Sequence, residues 1–222
     1  MTRTGGKGTT TRWHGGLTAF LAACLGLAEA GCARLPYVTT TVHEDARVAV
    51  TLQREMATVQ YSHPATLEVS QVAGVLRGLS LREQPRLPLR WFAEETPPNT
   101  VFRDDELQVL APWVARALSR AKDDERVAFQ VFAPGFNPRY ARDVTAGWVA
   151  LRGQYLHVTI EQFHTQQPIR SSDAYDYNYP TPPSPPKSYL LYFEPGRVYV
   201  TDPATGTRAV DLHEFLKAGL LP

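Results

Sequence analysis

The stretch VTAGWVALRGQYLHVTIEQF, residues 144–163, decides the fold, because it has the pattern of a β-hairpin. Gly153 lies between two runs that are rich in β-branched and aromatic residues. In the second run aliphatic and polar residues alternate, which predicts one face toward a core and one toward solvent or a partner. The core face would carry Leu156, Val158 and Ile160, and the other face Tyr155, His157, Thr159 and Glu161.

Further strands are predicted on both sides of this hairpin. Residues 47–53 and residues 127–132 alternate apolar and polar side chains with the two-residue period of a half-buried strand. A second hairpin is predicted from residues 189–194 and 198–201, around the turn Pro195-Gly196. Because consecutive strands are joined by short turns, the sheet should be mainly antiparallel.

Helix signals complete the fold class. A short amphipathic helix is predicted with Ser70 as its N-cap, and a longer one begins near Asp104, where three acidic residues favour the positive end of the helix dipole. Pro112 lies inside the longer helix and predicts a kink or a restart. Asp211 begins a capping-box pattern that opens a last helix. The predicted class is α+β, a mainly antiparallel sheet with about three helices packed on one face.

The composition is that of a globular protein of one domain. Of 222 residues, 43% are hydrophobic and 20% are charged, which excludes a collagen or a wholly disordered chain. Lys and Arg number 23 against 22 Asp and Glu. This balance argues against a nucleic-acid partner.

The first 23 residues are predicted to be a signal peptide. A basic segment without acids precedes an apolar run over residues 17–27, which ends in small residues. About 20 apolar residues would be needed to cross a bilayer, so this run is too short to be a membrane span.

Both cysteines of the chain fall in or just after this segment, and they leave three ways of processing open. Leu21-Ala22-Ala23-Cys24 resembles the lipobox of bacterial lipoproteins, and the resemblance implies acylation of Cys24 and cleavage before it. Glu29-Ala30-Gly31-Cys32 is the alternative, although Glu29 stands where an aliphatic residue is expected. Ala28-Glu29-Ala30 also fits ordinary signal peptidase, which would release a soluble protein.

Two segments are predicted to lack a packed structure. Residues 24–46 would form the lipidated cysteine and a tether, followed by a single α+β domain over residues 47–222. Within that domain, residues 164–188 are rich in Pro and Tyr, which predicts a mobile loop with polyproline II character. Its candidate partner-binding residues are Tyr175, Tyr177, Tyr179, Pro182, Pro183, Pro185 and Pro186.

Motifs of catalysis and metal binding are weak in this sequence. His157 and Glu161 share a face, but four residues along a strand place them roughly 13 Å apart, too far to hold one ion. His43-Glu44-Asp45 is interpreted as a solvated cluster rather than a cation site. We therefore predict no catalytic residue, no metal site and no cofactor, while acids brought together from distant strands stay open.

Residues 38–163 resemble an uncharacterised family of bacterial envelope lipoproteins. The resemblance is carried by V-T-T-T-V-H-E-D-A-R-V-A-V, by F-R-D-D-E-L-Q-V-L-A-P-W-V-A-R-A-L and by R-D-V-T-A-G-W-V-A-L-R-G-Q-Y-L-H-V. It implies a location in the cell envelope and no particular activity. Leu25 and Gly26, which follow Cys24, include no Asp of the kind that acts as a retention signal, and in this the chain resembles outer-membrane lipoproteins. The resemblance implies an outer-membrane location on the periplasmic face.

Three functional hypotheses follow. The first is a lipid-anchored periplasmic lipoprotein that acts without catalysis as a binding or assembly component of an envelope complex, with the membrane and an envelope protein as partners. The second is a periplasmic hydrolase or metal-dependent enzyme. The third is a carrier of a small apolar ligand, with a cavity lined by Trp91, Trp113 and Trp148.

Overall fold

The computed structural model describes residues 36–56, 58–84, 97–169 and 188–219, and a folded unit begins at Pro36. Ten strands and three helices occur in these ranges. In chain order they are β1 Tyr37–Glu44, β2 Val48–Arg54, α1 Val69–Arg77, β3 Leu79–Gln84, β4 Asn99–Thr100, α2 Asp104–Leu118, β5 Glu125–Pro134, β6 Ala141–Arg152, β7 Tyr155–Pro168, β8 Ser188–Phe193, β9 Tyr199–Thr201, β10 Arg208–Asp211 and α3 Leu212–Lys217.

The strands form two antiparallel sheets. The larger has the order β1-β2-β5-β6-β7-β10-β9 and the smaller the order β4-β3-β8. The long β6–β7 hairpin predicted from residues 144–163 lies at the centre of the larger sheet. The predicted α+β class with a mainly antiparallel sheet is confirmed, and its helices are few and short.

The core lies where α2 packs against the larger sheet. Val50 in β2, Phe129 in β5 and Leu110 in α2 are each at most 1% exposed. Gly147 in β6 is required by this packing, because a Cβ there would collide with the carbonyl oxygen of Thr159 and approach Phe129 Cζ to 3.1 Å. The alternating apolar residues of β2 and β5 thus supply the face on which the helix rests.

The segment predicted as a tether is partly a strand. Residues 37–44 form β1, which pairs with β2 along its whole length. Thr39 fastens this strand, because its Oγ1 donates to Glu125 Oε1 at 2.6 Å. The β-branched run from Val38 to Val42 suits a strand. The folded unit therefore begins about ten residues earlier than the predicted boundary at residue 47.

The predicted loop over residues 164–188 also begins in a strand. β7 continues to Pro168, because residues 165–168 pair with residues 141–144 of β6. A register shift precedes this extension, and there His164 takes the left-handed backbone conformation, with φ of 47°. The extension is thus a strand that resumes after a bulge.

The prediction of a second hairpin from residues 189–194 and 198–201 is wrong. β8 pairs with β3 in the smaller sheet, whereas β9 pairs with β10 in the larger one. The segment around Pro195-Gly196 therefore carries the chain between sheets. The reason is that β3 offers β8 a full register of partners, from Leu79 opposite Phe193 to Gln84 opposite Ser188.

The helices differ from prediction only in detail. α1 begins at Val69, and Glu68 rather than Ser70 is its N-cap, with Gln71 completing a capping box. α2 runs through Pro112 as one helix, without the predicted restart. Asp211 caps α3 as predicted, accepting from the N–H of Glu214 at 3.1 Å. Within the described ranges, no helix has the length and hydropathy needed to span a membrane.

Candidate functional site

The loop that joins β5 to β6 exposes two aromatic side chains at one end of the larger sheet. Phe136 is 100% exposed and Tyr140 is 60% exposed. Ile169, which follows β7, is 49% exposed, and its N–H donates to the carbonyl of Tyr140 at 2.9 Å. We call Phe136, Tyr140 and Ile169 the apolar tip. Large exposed apolar patches mark interaction sites on soluble domains, and the apolar tip is the candidate for such a site here.

Backbone hydrogen bonds hold the loop in this shape. The N–H groups of Tyr140 and Ala141 both donate to the carbonyl of Asn137, and the N–H of Phe136 donates to Gln166 Oε1 at 3.0 Å. Gly135 is required here, since a Cβ would lie 2.6 Å from the carbonyl oxygen of Ala141. These hydrogen bonds hold the backbone of the loop on which Phe136 is exposed.

The loop that carries Phe136 and Tyr140 contains two arginines. Residues 134–142 contain Arg139 and Arg142 and no acidic residue. The Arg142 guanidinium lies 4.0 Å from the centre of the Phe132 ring, in a cation–π contact. The tip thus combines apolar side chains with two cations.

Asp143 and His164 form a pair where β6 and β7 shift register. His164 Nδ1 lies 2.6 Å from Asp143 Oδ2, and the other carboxylate oxygen is buried without a hydrogen bond. The left-handed backbone of His164 costs on the order of 1–3 kcal/mol, so the surrounding contacts must hold it. The carboxylate fixes the orientation of the imidazole beside the apolar tip.

His157 is buried, which contradicts its predicted place on a solvent or partner face. Its Nε2 lies 3.0 Å from Asp202 Oδ2, and its Nδ1 lies 3.4 Å from Thr207 Oγ1. Burial lowers the pKa of His157, and the Asp202 carboxylate opposes that shift. The face was assigned wrongly because the turn between β9 and β10 folds over this strand. Glu161 lies near Arg126 instead, at 3.7 Å, so His157 and Glu161 have separate partners.

Asp202 organises the turn that covers His157. Burial would raise the pKa of Asp202, but hydrogen bonds from the N–H of Ala204, from Thr205 and from His157 outweigh it and lower that pKa. Since Asp202 is only 1% exposed, its charge depends on these donors. These hydrogen bonds of Asp202 join β7 to the turn between β9 and β10, and we call them the clasp.

His43 and Asp45 form a local pair at the turn between β1 and β2. His43 Nε2 lies 3.0 Å from Asp45 Oδ2, and the imidazole stacks on Trp113 with ring centres 3.8 Å apart. The hydrogen bond from His43, followed by those from the N–H groups of Val48 and Arg47, lowers the pKa of Asp45 to about 2. Across the residues that the structure describes, no three His, Cys, Asp or Glu side chains converge on a possible metal site.

His63 is a buried polar residue that the sequence did not single out. Its Nδ1 donates to the carbonyl of Glu125 at 2.9 Å, and its Nε2 accepts from the N–H of Leu151 at 3.0 Å. Burial lowers its pKa. The partners are 62 and 88 residues away along the chain, so no local motif could have indicated them.

The tryptophans proposed to line a carrier cavity are not brought together. Trp113 stacks on His43, Trp148 lies against Arg126 with the guanidinium 5.0 Å from its ring centre, and Trp91 is outside the described residues. A groove of about 470 Å³ runs between α1 and the smaller sheet, past Ser80 and Tyr192, and neither tryptophan lines it.

Comparison with protein-family models, curated proteins and solved structures finds no match for this chain. Among the features above, the apolar tip is the one that points outward to a partner.

The remaining predicted site residues lie outside the described residues. These are the acylation candidates Cys24 and Cys32, and the partner-binding candidates Tyr175, Tyr177, Tyr179, Pro182, Pro183, Pro185 and Pro186. The latter group belongs to the segment that leaves the described structure at Ile169, beside Tyr140.

Proposed function

We propose that this chain is a lipid-anchored lipoprotein of the bacterial cell envelope that faces the periplasm and acts by binding rather than by catalysis. The outer membrane is the proposed location. The observation that carries the binding role is the apolar tip, where Phe136 is completely exposed on a hydrogen-bonded turn.

The anchor is supported by the order of features along the chain. Both cysteines precede Pro36, where the folded unit begins, and β1 starts at Tyr37. A lipid on Cys24 would leave 12 residues before β1, so that Cys24 and Tyr37 could lie at most about 44 Å apart. A lipid on Cys32 would leave four residues and a separation of at most about 17 Å.

The binding role is supported by the free energy that burial of the exposed apolar side chains would release. Burying a side chain such as Phe in an apolar environment stabilises a protein by roughly 1.5–3 kcal/mol. The free protein lacks this stabilisation at Phe136, because that side chain is fully exposed. The turn nevertheless holds Phe136, Tyr140 and Ile169 at one place on the surface. A contact that covers the apolar tip would recover that free energy.

Intact mass of the protein extracted from membranes tests the anchor. Wild type is compared with Cys24→Ala and Cys32→Ala. We expect the mass of the wild type to include the lipid, and the lipid to be lost in Cys24→Ala alone. Lipid loss in Cys32→Ala alone would move the anchor to Cys32, and a wild type without lipid would overturn the proposed function.

One observation favours the alternative of a periplasmic hydrolase. Asp143 orients His164, whose strained backbone is of a kind found often at active sites. The test is hydrolysis of nitrophenyl esters and phosphates by the full chain beside His164→Gln. Turnover that disappears in the variant would support catalysis, and equal background in both proteins would remove this alternative.

A further inference from the structure

We propose that the apolar tip inserts into the headgroup region of an anionic phospholipid surface and holds the domain on the membrane at a second point. The proposal rests on the lipid anchor of the proposed function, which brings the domain close to such a surface. It names what the exposed tip contacts.

The shape of the tip suits a lipid surface. Phe136 is fully exposed and precedes a turn closed by Asn137, Tyr140 and Ala141, and the backbone N–H of Ile169 donates to the carbonyl of Tyr140. A standard protein interface buries about 800 Å² on each partner, and three side chains of one projecting loop supply only a fraction of that area. A bilayer interface accepts a few apolar and aromatic side chains without a matching pocket.

The charges favour anionic lipid. Arg139 is exposed, and the guanidinium of Arg142 lies over the Phe132 ring. In such an arrangement the methylene groups of an arginine can lie along apolar surface while its charged group stays near water. Three acids toward the same end of the sheet have side-chain partners, two of them histidines and one an arginine. Asp45 pairs with His43 at 3.0 Å, Asp105 with Arg47 at 2.8 Å and Asp143 with His164 at 2.6 Å.

The position of the tip determines how the domain would lie on the membrane. Tyr37 is opposite Arg54, and Arg54 is opposite Glu125 at the start of β5, so the chain enters the sheet at the end remote from the tip. The ten residues of β5 separate these ends by about 34 Å. The chain between Cys24 and Tyr37 can extend to at most about 44 Å, which exceeds that distance and allows anchor and tip to reach one bilayer.

The experiment uses the acylated full chain, extracted from membranes and returned to vesicles. The vesicles contain phosphatidylcholine and phosphatidylglycerol with a photoactivatable phosphatidylcholine, and adducts are located by mass spectrometry of peptides. We expect adducts on the peptide that contains residues 134–141. The turn at Gly153 and Gln154, at the opposite end of the hairpin, is the internal reference and should stay unlabelled.

Two variants test which side chains are responsible. Phe136→Ser should reduce the adduct yield roughly tenfold, and the double variant with Tyr140→Ser should reduce it further. Phe136 is fully exposed, so its replacement removes no packing and the variant should fold like wild type. Val69→Ser, at another exposed apolar position, is the matched control and should label like wild type.

The outcomes separate this proposal from the anchor. A protein that carries its N-terminal lipid but shows no adducts at the tip would overturn the tip contact and leave the anchor standing. A protein without the lipid would overturn the anchor. Adducts that do not fall when phosphatidylglycerol is omitted would overturn the anionic preference, and crosslinks from position 136 to protein alone in native envelopes would overturn the lipid contact in favour of a protein partner.

Discussion

His63 receives a hydrogen bond from the N–H of Leu151 while its own ring N–H donates to the carbonyl of Glu125, at 3.0 and 2.9 Å. One imidazole thereby joins the end of β6 to the start of β5. Both bonds require the neutral ring, with the proton on Nδ1. His63 is 8% exposed, so a second proton would place an uncompensated charge in the interior.

Stability should therefore fall in mild acid. Burial lowers the pKa of His63 in the folded state below its ordinary value of 6.5, so the unfolded chain binds protons first as the pH falls. The contribution of the neutral ring is complete above about pH 6.5 and is lost as the pH falls toward the folded pKa. Urea unfolding from about pH 7.5 to about pH 5 measures this loss.

The variant that identifies the group is His63→Gln. It should lower the free energy of unfolding at neutral pH by about 1–3 kcal/mol, because at least one buried backbone group loses its partner. Its unfolding free energy should also depend less steeply on pH than that of wild type. The slope will not vanish, since burial lowers the pKa of His157 as well. A slope equal to that of wild type would show that His63 is not responsible.

Asp202→Asn should destabilise the clasp over His157. Asp202 is 1% exposed and accepts from Ala204, Thr205 and His157 in the folded protein. An amide in its place presents donors where acceptors are needed, which should cost about 1–3 kcal/mol. Asp105→Asn is the matched control, because its ion pair with Arg47 is exposed and should contribute less than about 1 kcal/mol. Chemical denaturation of both variants makes the comparison, and equal losses would contradict it.

Gly147→Ala should be far more costly than Gly196→Ala. The new methyl group at position 147 would collide with the carbonyl of Thr159 in the central hairpin, whereas a Cβ at Gly196 meets nothing within 4 Å. We expect a loss of about 1–3 kcal/mol or more for the first and a change within about 0.5 kcal/mol for the second. Thermal unfolding of the two variants is the measurement. Similar melting temperatures would show that the hairpin yields to the added group.

Thr39→Val tests whether β1 contributes to the stability of the fold. The substitution keeps the β-branched shape but removes the hydrogen bond to the buried carboxylate of Glu125, and should cost about 1–3 kcal/mol. Thr41→Val, at an exposed position of the same strand, should change stability by less than about 0.5 kcal/mol. Hydrogen exchange of the β1 amides should accelerate only in Thr39→Val. Protection that is unchanged in both would show that β1 is held without Thr39.

The central strands could be predicted from the sequence because their burial is one-sided. Alternation along Val48, Val50 and Leu52 indicates β2, and the same period indicates β5. β1 was not predicted because it lies at the edge of the sheet. Side chains such as Tyr37 and Val38 are exposed there, so the sequence shows no alternation of apolar and polar residues. The pairing of β8 with β3 was not predicted, because the Pro195-Gly196 turn signal directly after β8 favoured a hairpin with the next strand.

The site was harder to predict than the fold. His157 and Asp202 are 45 residues apart, and alternation alone placed His157 on an open face. Phe136 stands in a Pro- and Gly-rich stretch that indicates the end of a strand, so its exposure looked unremarkable in the sequence. Only the backbone hydrogen bond from Ile169 to Tyr140 shows that a third exposed apolar residue follows β7 next to this loop.

The position of β10 has a consequence for the synthesis of this protein. β10, formed by Arg208–Asp211, lies between β7 and β9 and is therefore an interior strand, although it follows every other strand of the larger sheet in the sequence. A nascent chain that stops before Arg208 would leave β9 with no neighbour and the β7 side of the sheet uncovered. The larger sheet can thus be completed only after Asp211 has been translated, so products truncated before that point would present open strand edges to proteases.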